Sequence, residues 1–170
     1  MQFERIADKH VVSLLDFELT NKSYFENVIA PREDAFYSLD GVGNHINELL
    51  YLQSQKRASS HVLVEHNRIL ARANIKNIEG DKAEIGYRVA EQQSGKGIAT
   101  FCVSFLSRQA QEMGITTLTA EVMDNNPASE KALVKNGFRP TFCYIKKHRH
   151  QNTLCNSTLY ELALHATKLR

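Results

Sequence analysis

The pattern of apolar and polar residues predicts that the first part of the chain is mainly helical. After a short strand at Phe3 to Ile6, apolar residues recur every three or four positions from about Asp8, which suits a helix N-cap. The stretch after Asn27 has the proline and glycine residues of a loop, and a second helical pattern ends near Lys56. We therefore expect two helices before the next strand.

The middle of the chain changes to the alternation that is typical of strands. Alternating segments at 61–64, 69–78 and 83–89 are separated by polar turns at 66–68 and 79–81. Short turns between alternating segments favour antiparallel pairing of neighbours in the chain. The sequence therefore predicts a three-stranded antiparallel meander.

The second half alternates between helices and strands. A helical pattern begins after Gly97 and ends at Gly114, a residue type that suits a helix C-terminus. The elements expected next are a strand at 117–123, a helix at 127–136 and strands at 138–147 and 158–164. The resulting order, β-α-α-β-β-β-α-β-α-β-β, predicts an α/β sandwich built on a mixed sheet.

Composition narrows the class of protein. The 170 residues suit a single domain over 1–170, and 42% apolar with 24% charged residues is typical of a packed globular protein. No apolar stretch approaches the ~18 residues of a membrane span, and the start lacks the apolar core of a secretory signal, so we expect a cytoplasmic protein. A net charge of +2 argues against nucleic acid as the main partner.

The cysteines and the histidine-rich segment give weaker signals. Cys102, Cys143 and Cys155 are odd in number and lack C-x-x-C spacing, so we expect small buried residues and neither a disulfide framework nor a zinc site. The segment KKHRH at 146–150 is expected to be a solvated hairpin tip. Contact with acidic partners or RNA, or a metal shared by its two histidines, remains an alternative. No metal is predicted elsewhere.

A glycine-containing loop between the meander and the next helix carries the clearest chemistry. The N–H groups of residues 94–98 can converge on one point, and the free amides and dipole of a helix N-terminus favour a phosphate group there. Gly95 and Gly97 permit close approach or a positive φ, and Lys96 adds a flexible charge at the rim. The loop is therefore predicted to bind a phosphate-containing ligand.

Other phosphate-binding loops fit this segment less well. A P-loop needs an earlier glycine and a hydroxyl residue after the lysine, whereas Gly97 follows Lys96. A dinucleotide-binding fold needs three glycines after the first strand of a βαβ unit, and this loop has two glycines after a meander. A tight turn with no ligand remains an alternative.

Two motifs resemble the GNAT family of acyl-CoA N-acyltransferases. Gln92, Gly95 and Gly97 fit the family's Q/R-x-x-G-x-G/A loop, and the predicted element order is similar over almost the whole chain. A second motif is similar to the branch that contains the ribosomal-protein N-terminal acetyltransferases of RimJ/RimL type; its residues are Asn126, Ser129, Leu133, Lys135, Gly137 and Phe138.

The resemblance implies that acetyl-CoA binds as co-substrate where the fourth and fifth strands splay apart. Tyr87, Arg88 and Val89 would pair with the pantetheine amides, because splayed strands leave backbone groups without partners. The diphosphate would lie on Gln92, Gln93, Ser94, Gly95, Lys96, Gly97, Ile98, Ala99 and Thr100. Asn126 and Ser129 would contact the pantetheine arm, although Asn126 also suits a helix cap.

The resemblance also suggests residues for catalysis. Glu84 is expected to take up the proton of the amine directly or through water; Glu121 is a rival, and a solvated or ion-paired role for Glu84 remains an alternative. The N–H of Val89 would stabilise the oxyanion. Many members protonate the leaving sulfur with a tyrosine, but Leu133 stands at that position here, so Ser129 or water would take the role.

The function implied is transfer of an acetyl group from acetyl-CoA to a primary amine, with a protein N-terminus as the acceptor that the branch suggests. About one in seven α-amino groups is neutral at pH 7, so such an acceptor needs only a weak base. A small amine, amino acid or antibiotic as acceptor, or an acyl-CoA-binding module without turnover, remains an alternative. Residues 8–56 and 141–157 would line the acceptor side, and both a monomer and a homodimer are compatible with the sequence.

Overall fold

The computed structural model describes residues 1–150 and 153–164, without the side chains of residues 147–150 and 153. The helices and strands are β1 (Gln2–Arg5), α1 (Val11–Thr20), α2 (Lys22–Glu26), α3 (Leu39–Ser54), β2 (Ser59–Glu65), β3 (Arg68–Glu79), β4 (Lys82–Val89), α4 (Ile98–Glu112), β5 (Thr117–Met123), α5 (Pro127–Lys135), β6 (Arg139–His150) and β7 (Thr153–Ala163). The predicted order is confirmed, with α2 as an additional short helix between the two that the sequence indicates.

The strands form one mixed sheet in the order β1-β2-β3-β4-β5-β7-β6. All neighbouring strands run antiparallel except β4 and β5, which are parallel. These two central strands pair only over Lys82–Glu84 and Thr117–Thr119. Beyond Glu84 they separate, so the predicted splay of the fourth and fifth strands is confirmed.

Helices cover both faces of the sheet. Val62 and Leu63 are adjacent on β2 and both fully buried, yet they belong to different apolar clusters, because successive strand residues point to opposite faces. Leu63 packs in the cluster that contains Cys102 and Leu106 of α4. Val62 packs in the cluster that contains Leu14 of α1 and Ile46 of α3. The sheet is therefore the middle layer of a three-layer sandwich, and any site at the splay lies between two helical layers.

Several local expectations need correction. The first helix begins at Val11, because Asp8 to His10 form a 3-10 turn instead of the helix start. Cys102 is buried as expected, but the expectation is wrong for Cys143, which is exposed because β6 is an edge strand.

The expected hairpin tip at 146–150 is wrong, and the last strand begins at Thr153 instead of 158, because β6 and β7 stay paired as far as His150 and Thr153. The side chains of His148 and His150, the suggested metal ligands, lie outside the described residues. Within the described chain, none of the helices has the length and apolar character needed to cross a bilayer.

Candidate functional site

Two cavities meet at the splay between β4 and β5. The first, here called the loop cavity, has a volume of about 440 Å³ and lies between the loop before α4, the α2 region and α5. The second, here called the strand cavity, has about 570 Å³ and lies on the α3 side of β3, β4 and β5. The residues that line both are Val28, Ile29, Tyr87, Arg88, Asn126 and Ser129. A ligand in the first cavity can therefore meet a second ligand at these residues.

The backbone of β4 is available on the side that faces the gap. Ala90 donates its N–H to the carbonyl of Leu70 at 2.9 Å, and hydrogen-bonded positions alternate along an antiparallel ladder. Tyr87 and Val89, which occupy the alternate positions, therefore direct their N–H and C=O groups away from β3 and toward the gap. This is the geometry expected of a strand that binds an extended amide-containing ligand at its edge.

The loop before α4 has the predicted glycine conformation. Gly95 and Gly97 have φ values of +76° and +80°, which L-residues with a Cβ rarely adopt. No other heavy atom beyond the neighbouring residues lies within 4 Å of the position that a Cβ would occupy at either glycine. Positive φ, and not steric exclusion within the protein itself, is therefore what requires glycine here.

The set of free amides differs from the predicted set at two positions. Ser94 donates its N–H to the carbonyl of Glu91 at 2.9 Å, and Lys96 donates to that of Gln93 at 3.4 Å. Among the described residues none accepts a hydrogen bond from the N–H groups of Gly95, Gly97, Ile98, Ala99 or Thr100. The N–H groups left free for a ligand are therefore those of the two glycines and the first turn of α4, because the turn before them uses its own amides.

Most of the predicted ligand-binding residues line the loop cavity. They are Tyr87, Arg88, Val89, Gln93, Ser94, Gly95, Gly97, Ile98, Ala99, Thr100, Asn126 and Ser129, whereas Gln92 and Lys96 are exposed and lie outside this lining. Asn126 also caps α5, since its side chain accepts the N–H of Ser129 at 3.2 Å.

Sequence analysis missed two groups of residues in the same cavity. Tyr24, Phe25, Val28 and Ile29 contribute the wall opposite the loop. Lys131 and Lys135 of α5 also line it, and their four-residue spacing on a predicted helix was a detectable signal of two charges on one face. These lysines add positive charge to the region of free amides.

Tyr87 and Ser129 connect β4 to α5 where the cavities meet. Their hydroxyl oxygens lie 2.7 Å apart, and the Tyr87 hydroxyl also donates to the carbonyl of Ser129 at 3.2 Å. Burial raises the pKa of Tyr87 to about 12, so its hydroxyl keeps its proton at neutral pH. Leu133, which stands where the resemblance would place a tyrosine, is fully buried in the core. The Tyr87 hydroxyl is a donor that the sequence did not indicate.

Both candidate carboxylates line the strand cavity, in different settings. Glu84, in the last β4–β5 pair, contacts Lys76 at 2.7 Å and accepts a hydrogen bond from Asn77 at 2.9 Å. Glu121 accepts a hydrogen bond from Ser157 and lies two residues beyond Thr119, the partner of Glu84. Glu121 is therefore about 7 Å further along the strand direction toward the splayed end.

A buried charge cluster lies at the other end of the strand cavity. Glu18 of α1 is fully buried and contacts Arg72 at 2.7 Å, Arg88 at 2.8 Å and Arg32 at 3.9 Å. Arg72 also donates to Nε2 of His45 at 2.8 Å. The arginines hold the pKa of Glu18 below its usual value despite its burial. Sequence analysis did not indicate this cluster, whose members come from four separate elements and a loop.

The described residues contain no group of three or more histidine, cysteine, aspartate or glutamate side chains that could hold a metal ion.

Comparisons with known proteins agree with this fold. Residues 8–139, more than half of the chain, match a family described as "Acetyltransferase (GNAT) domain". A sequence search of curated proteins finds no match.

Among solved structures, the ribosomal-protein-S5-alanine acetyltransferase of Vibrio fischeri is 20% identical, with 95% of this chain and 92% of that chain covered and a TM-score of 0.90. A RimL ribosomal L7/L12 α-N-protein acetyltransferase in complex with coenzyme A is 19% identical, with 97% and 94% covered and a TM-score of 0.87. The microcin C7 self-immunity acetyltransferase MccE, in complex with acetyl-CoA and AMP, is 18% identical, with 96% and 93% covered and a TM-score of 0.84.

Proposed function

The chain belongs to the GNAT acetyltransferase family, and we propose that it acetylates the α-amino group at the N-terminus of a protein. It is an acetyl-CoA-dependent N-acetyltransferase. The observation that carries transfer between two bound substrates is the meeting of the loop and strand cavities at Tyr87, Arg88, Asn126 and Ser129. An acceptor in the strand cavity can reach a thioester at these residues, from the side opposite the loop cavity. The choice of an α-amino group rests on the weak base that such an acceptor needs.

The residues of the loop cavity fit the chemical groups of coenzyme A. Free N–H groups from Gly95 to Thr100, with Lys131 and Lys135, suit the diphosphate, because a helix N-terminus favours anions. The outward-facing backbone of Tyr87 and Val89 suits the amides of the pantetheine arm. The thioester would then lie beside Val89, whose N–H can donate to the carbonyl oxygen as negative charge develops on it.

The acceptor amine must lose a proton as it forms the new bond. An α-amino group, with a pKa near ~7.8, is already partly neutral at pH 7, whereas a lysine near ~10.4 is almost wholly charged. The carboxylates that line the strand cavity, Glu84 and Glu121, can take up this proton directly or through water. We favour Glu121, because it lies nearer the splayed end of β4 and β5.

The departing sulfur needs a hydrogen-bond donor. Tyr87 can supply it, since its hydroxyl is buried, protonated and held by Ser129 where the two cavities meet. The thiolate, whose conjugate thiol has a pKa of about 8.5, is a weaker base than the phenolate of Tyr87. The tyrosine therefore stabilises the thiolate by a hydrogen bond, and the proton released by the amine reaches the sulfur in the course of the reaction.

The proposal is tested by thiol release from acetyl-CoA with pairs of peptides. Both peptides of a pair contain one lysine, and they differ only in whether the α-amino group is free or blocked. Mass spectrometry locates the added acetyl group. We expect turnover with the free N-terminus alone. Turnover with small amines but with no peptide would replace the proposed acceptor, and acetyl-CoA binding without any thiol release would favour a binding module.

A further inference from the structure

We propose that the acceptor carries an anionic group, a carboxylate or phosphate, which binds Arg32 and Arg88 in the strand cavity. This inference rests on the proposed function, because it concerns the acceptor of the same reaction. It adds a chemical class to the acceptor: an amine with an acidic group a few bonds away, such as a peptide with an acidic residue next to its N-terminus.

The first argument is the charge balance of the buried cluster. Three guanidinium groups, those of Arg32, Arg72 and Arg88, surround the single carboxylate of Glu18. Burial, together with the neighbouring arginines, lowers the pKa of His45 to about 3. This side chain is therefore neutral and does not change the net charge of the cluster. The cluster thus carries a charge of about +2 in a buried environment, where uncompensated charge is costly.

The second argument is that the excess charge faces the cavity. Arg32, Arg72 and Arg88 line the strand cavity, whereas Glu18 is fully buried behind it. Burial and repulsion by Arg88 and Arg72 lower the pKa of Arg32 to about 10. Glu18, 3.9 Å from Nε of Arg32, is shared with Arg72 and Arg88, so an anion entering the cavity would supply the negative charge that Arg32 lacks.

The third argument is that polar atoms in this lining have no partner. Nε of Arg32 and the hydroxyl of Ser60 are buried without a hydrogen bond, and Ser60 is only 1% exposed. Both residues line the strand cavity. Buried polar groups are normally satisfied, so these two point to a polar ligand. A guanidinium and a hydroxyl are donors that suit an oxyanion.

Two carboxylates of the strand cavity, those of Glu84 and Glu121, lie away from its arginine end. Arg72 of β3 is paired with Arg88 of β4, and Lys76 of β3 is paired with Glu84 of β4. On each strand the two paired positions are four residues apart. The two pairs are therefore roughly 13 Å apart. Lys76 already compensates Glu84. The cavity thus has a cationic end near Arg88 and carboxylates toward Glu84 and Glu121, which suits an acceptor that carries both an ammonium and an anionic group.

The test compares acceptors that differ only in charge. One arm uses peptides with aspartate or asparagine after a common first residue, and a second arm uses free glutamate and glutamine. In the arm whose acceptors are turned over, we expect kcat/KM to be at least about tenfold higher for the acidic acceptor than for its neutral counterpart. Equal kcat/KM within both pairs would overturn the inference but leave the proposed function standing, whereas no turnover with any acceptor would overturn the proposed function itself.

Variants separate recognition from folding. Arg32→Gln should raise KM for the acidic acceptor about tenfold, without changing KM for the neutral acceptor or the affinity for coenzyme A. Arg32→Lys should give a KM for the acidic acceptor between those of the parent and Arg32→Gln. Arg68→Gln, an exposed arginine outside both cavities, is the matched control. If Arg32→Gln lowers activity equally for acidic and neutral acceptors, the cluster has a structural role and the inference is wrong.

Discussion

The hydroxyl of Tyr87 lies 2.7 Å from that of Ser129, so the splayed strand β4 and helix α5 are joined at the boundary of the two cavities. Ser129 offers two acceptors, its hydroxyl and its backbone carbonyl, the latter at 3.2 Å. A substitution that removes only the serine hydroxyl therefore leaves the tyrosine one partner. This asymmetry gives the two residues different expected contributions to turnover.

Tyr87→Phe should lower kcat about tenfold, which corresponds to ~1.4 kcal/mol, because the leaving sulfur loses a hydrogen-bond donor. Ser129→Ala should have a smaller effect, since the carbonyl of residue 129 still accepts from Tyr87. Steady-state kinetics at saturating acetyl-CoA measure both. Tyr160→Phe, a buried tyrosine outside both cavities, controls for the loss of a buried hydroxyl. An unchanged kcat in Tyr87→Phe would remove this hydroxyl from the mechanism.

Gly97→Ala should weaken coenzyme A binding about tenfold, because alanine strains the φ of +80° at which the loop presents its free amides. Gly114→Ala is a matched control: Gly114 has the same φ of +80° and equally open surroundings, but it lies outside the loop cavity. Both variants should lose a similar free energy of unfolding, about 1–2 kcal/mol. Calorimetric titration with coenzyme A that gives equal affinities for the two variants would contradict the assignment of the loop.

Glu121→Gln should lower kcat more than Glu84→Gln, because Glu121 lies further toward the splayed end of the strands. Loss of a general base typically reduces the rate about 10²-fold or more. The pH profile of kcat/KM for each variant supplies the readout, since loss of the base removes the acidic limb. A profile unchanged in Glu121→Gln and altered in Glu84→Gln would assign the role to Glu84.

The free energy of unfolding should fall as the pH drops from about 6.5 toward 4, partly because of His61. Burial, with a smaller contribution from Arg5, lowers the pKa of His61 from 6.5 to about 4. Between these values the unfolded chain binds the proton and the folded protein does not, so stability is lost on acidification. Denaturant unfolding at about pH 7.5 and about pH 5 should show a smaller loss for His61→Leu than for the parent protein.

The control for this pH effect is His66→Asn, which replaces an exposed histidine and suits its positive φ of 47°. Its stability should depend on pH as that of the parent does. Equal acid sensitivity of His61→Leu and the parent would mean that other groups account for the loss.

Much of the fold and one half of the site follow from the order of residues along the chain. The meander, the strand at 117–123 and the glycine loop depend on alternation, turn residues and positive φ, which are properties of neighbouring residues. The amides at Ser94 and Lys96 show the limit of such reasoning, because their hydrogen bonds within the preceding turn depend on its backbone conformation.

The sequence by itself thus determined the sandwich of helices on a mixed sheet, the glycine loop before α4 and the family resemblance, because these depend on local periodicity and spacing. Only the tertiary structure decided which distant side chains meet. Glu18 contacts arginines 54 and 70 residues away, and Tyr87 contacts Ser129 across 42 residues. Such contacts depend on how the helices pack against the sheet, and no local pattern encodes the position at which one element docks on another.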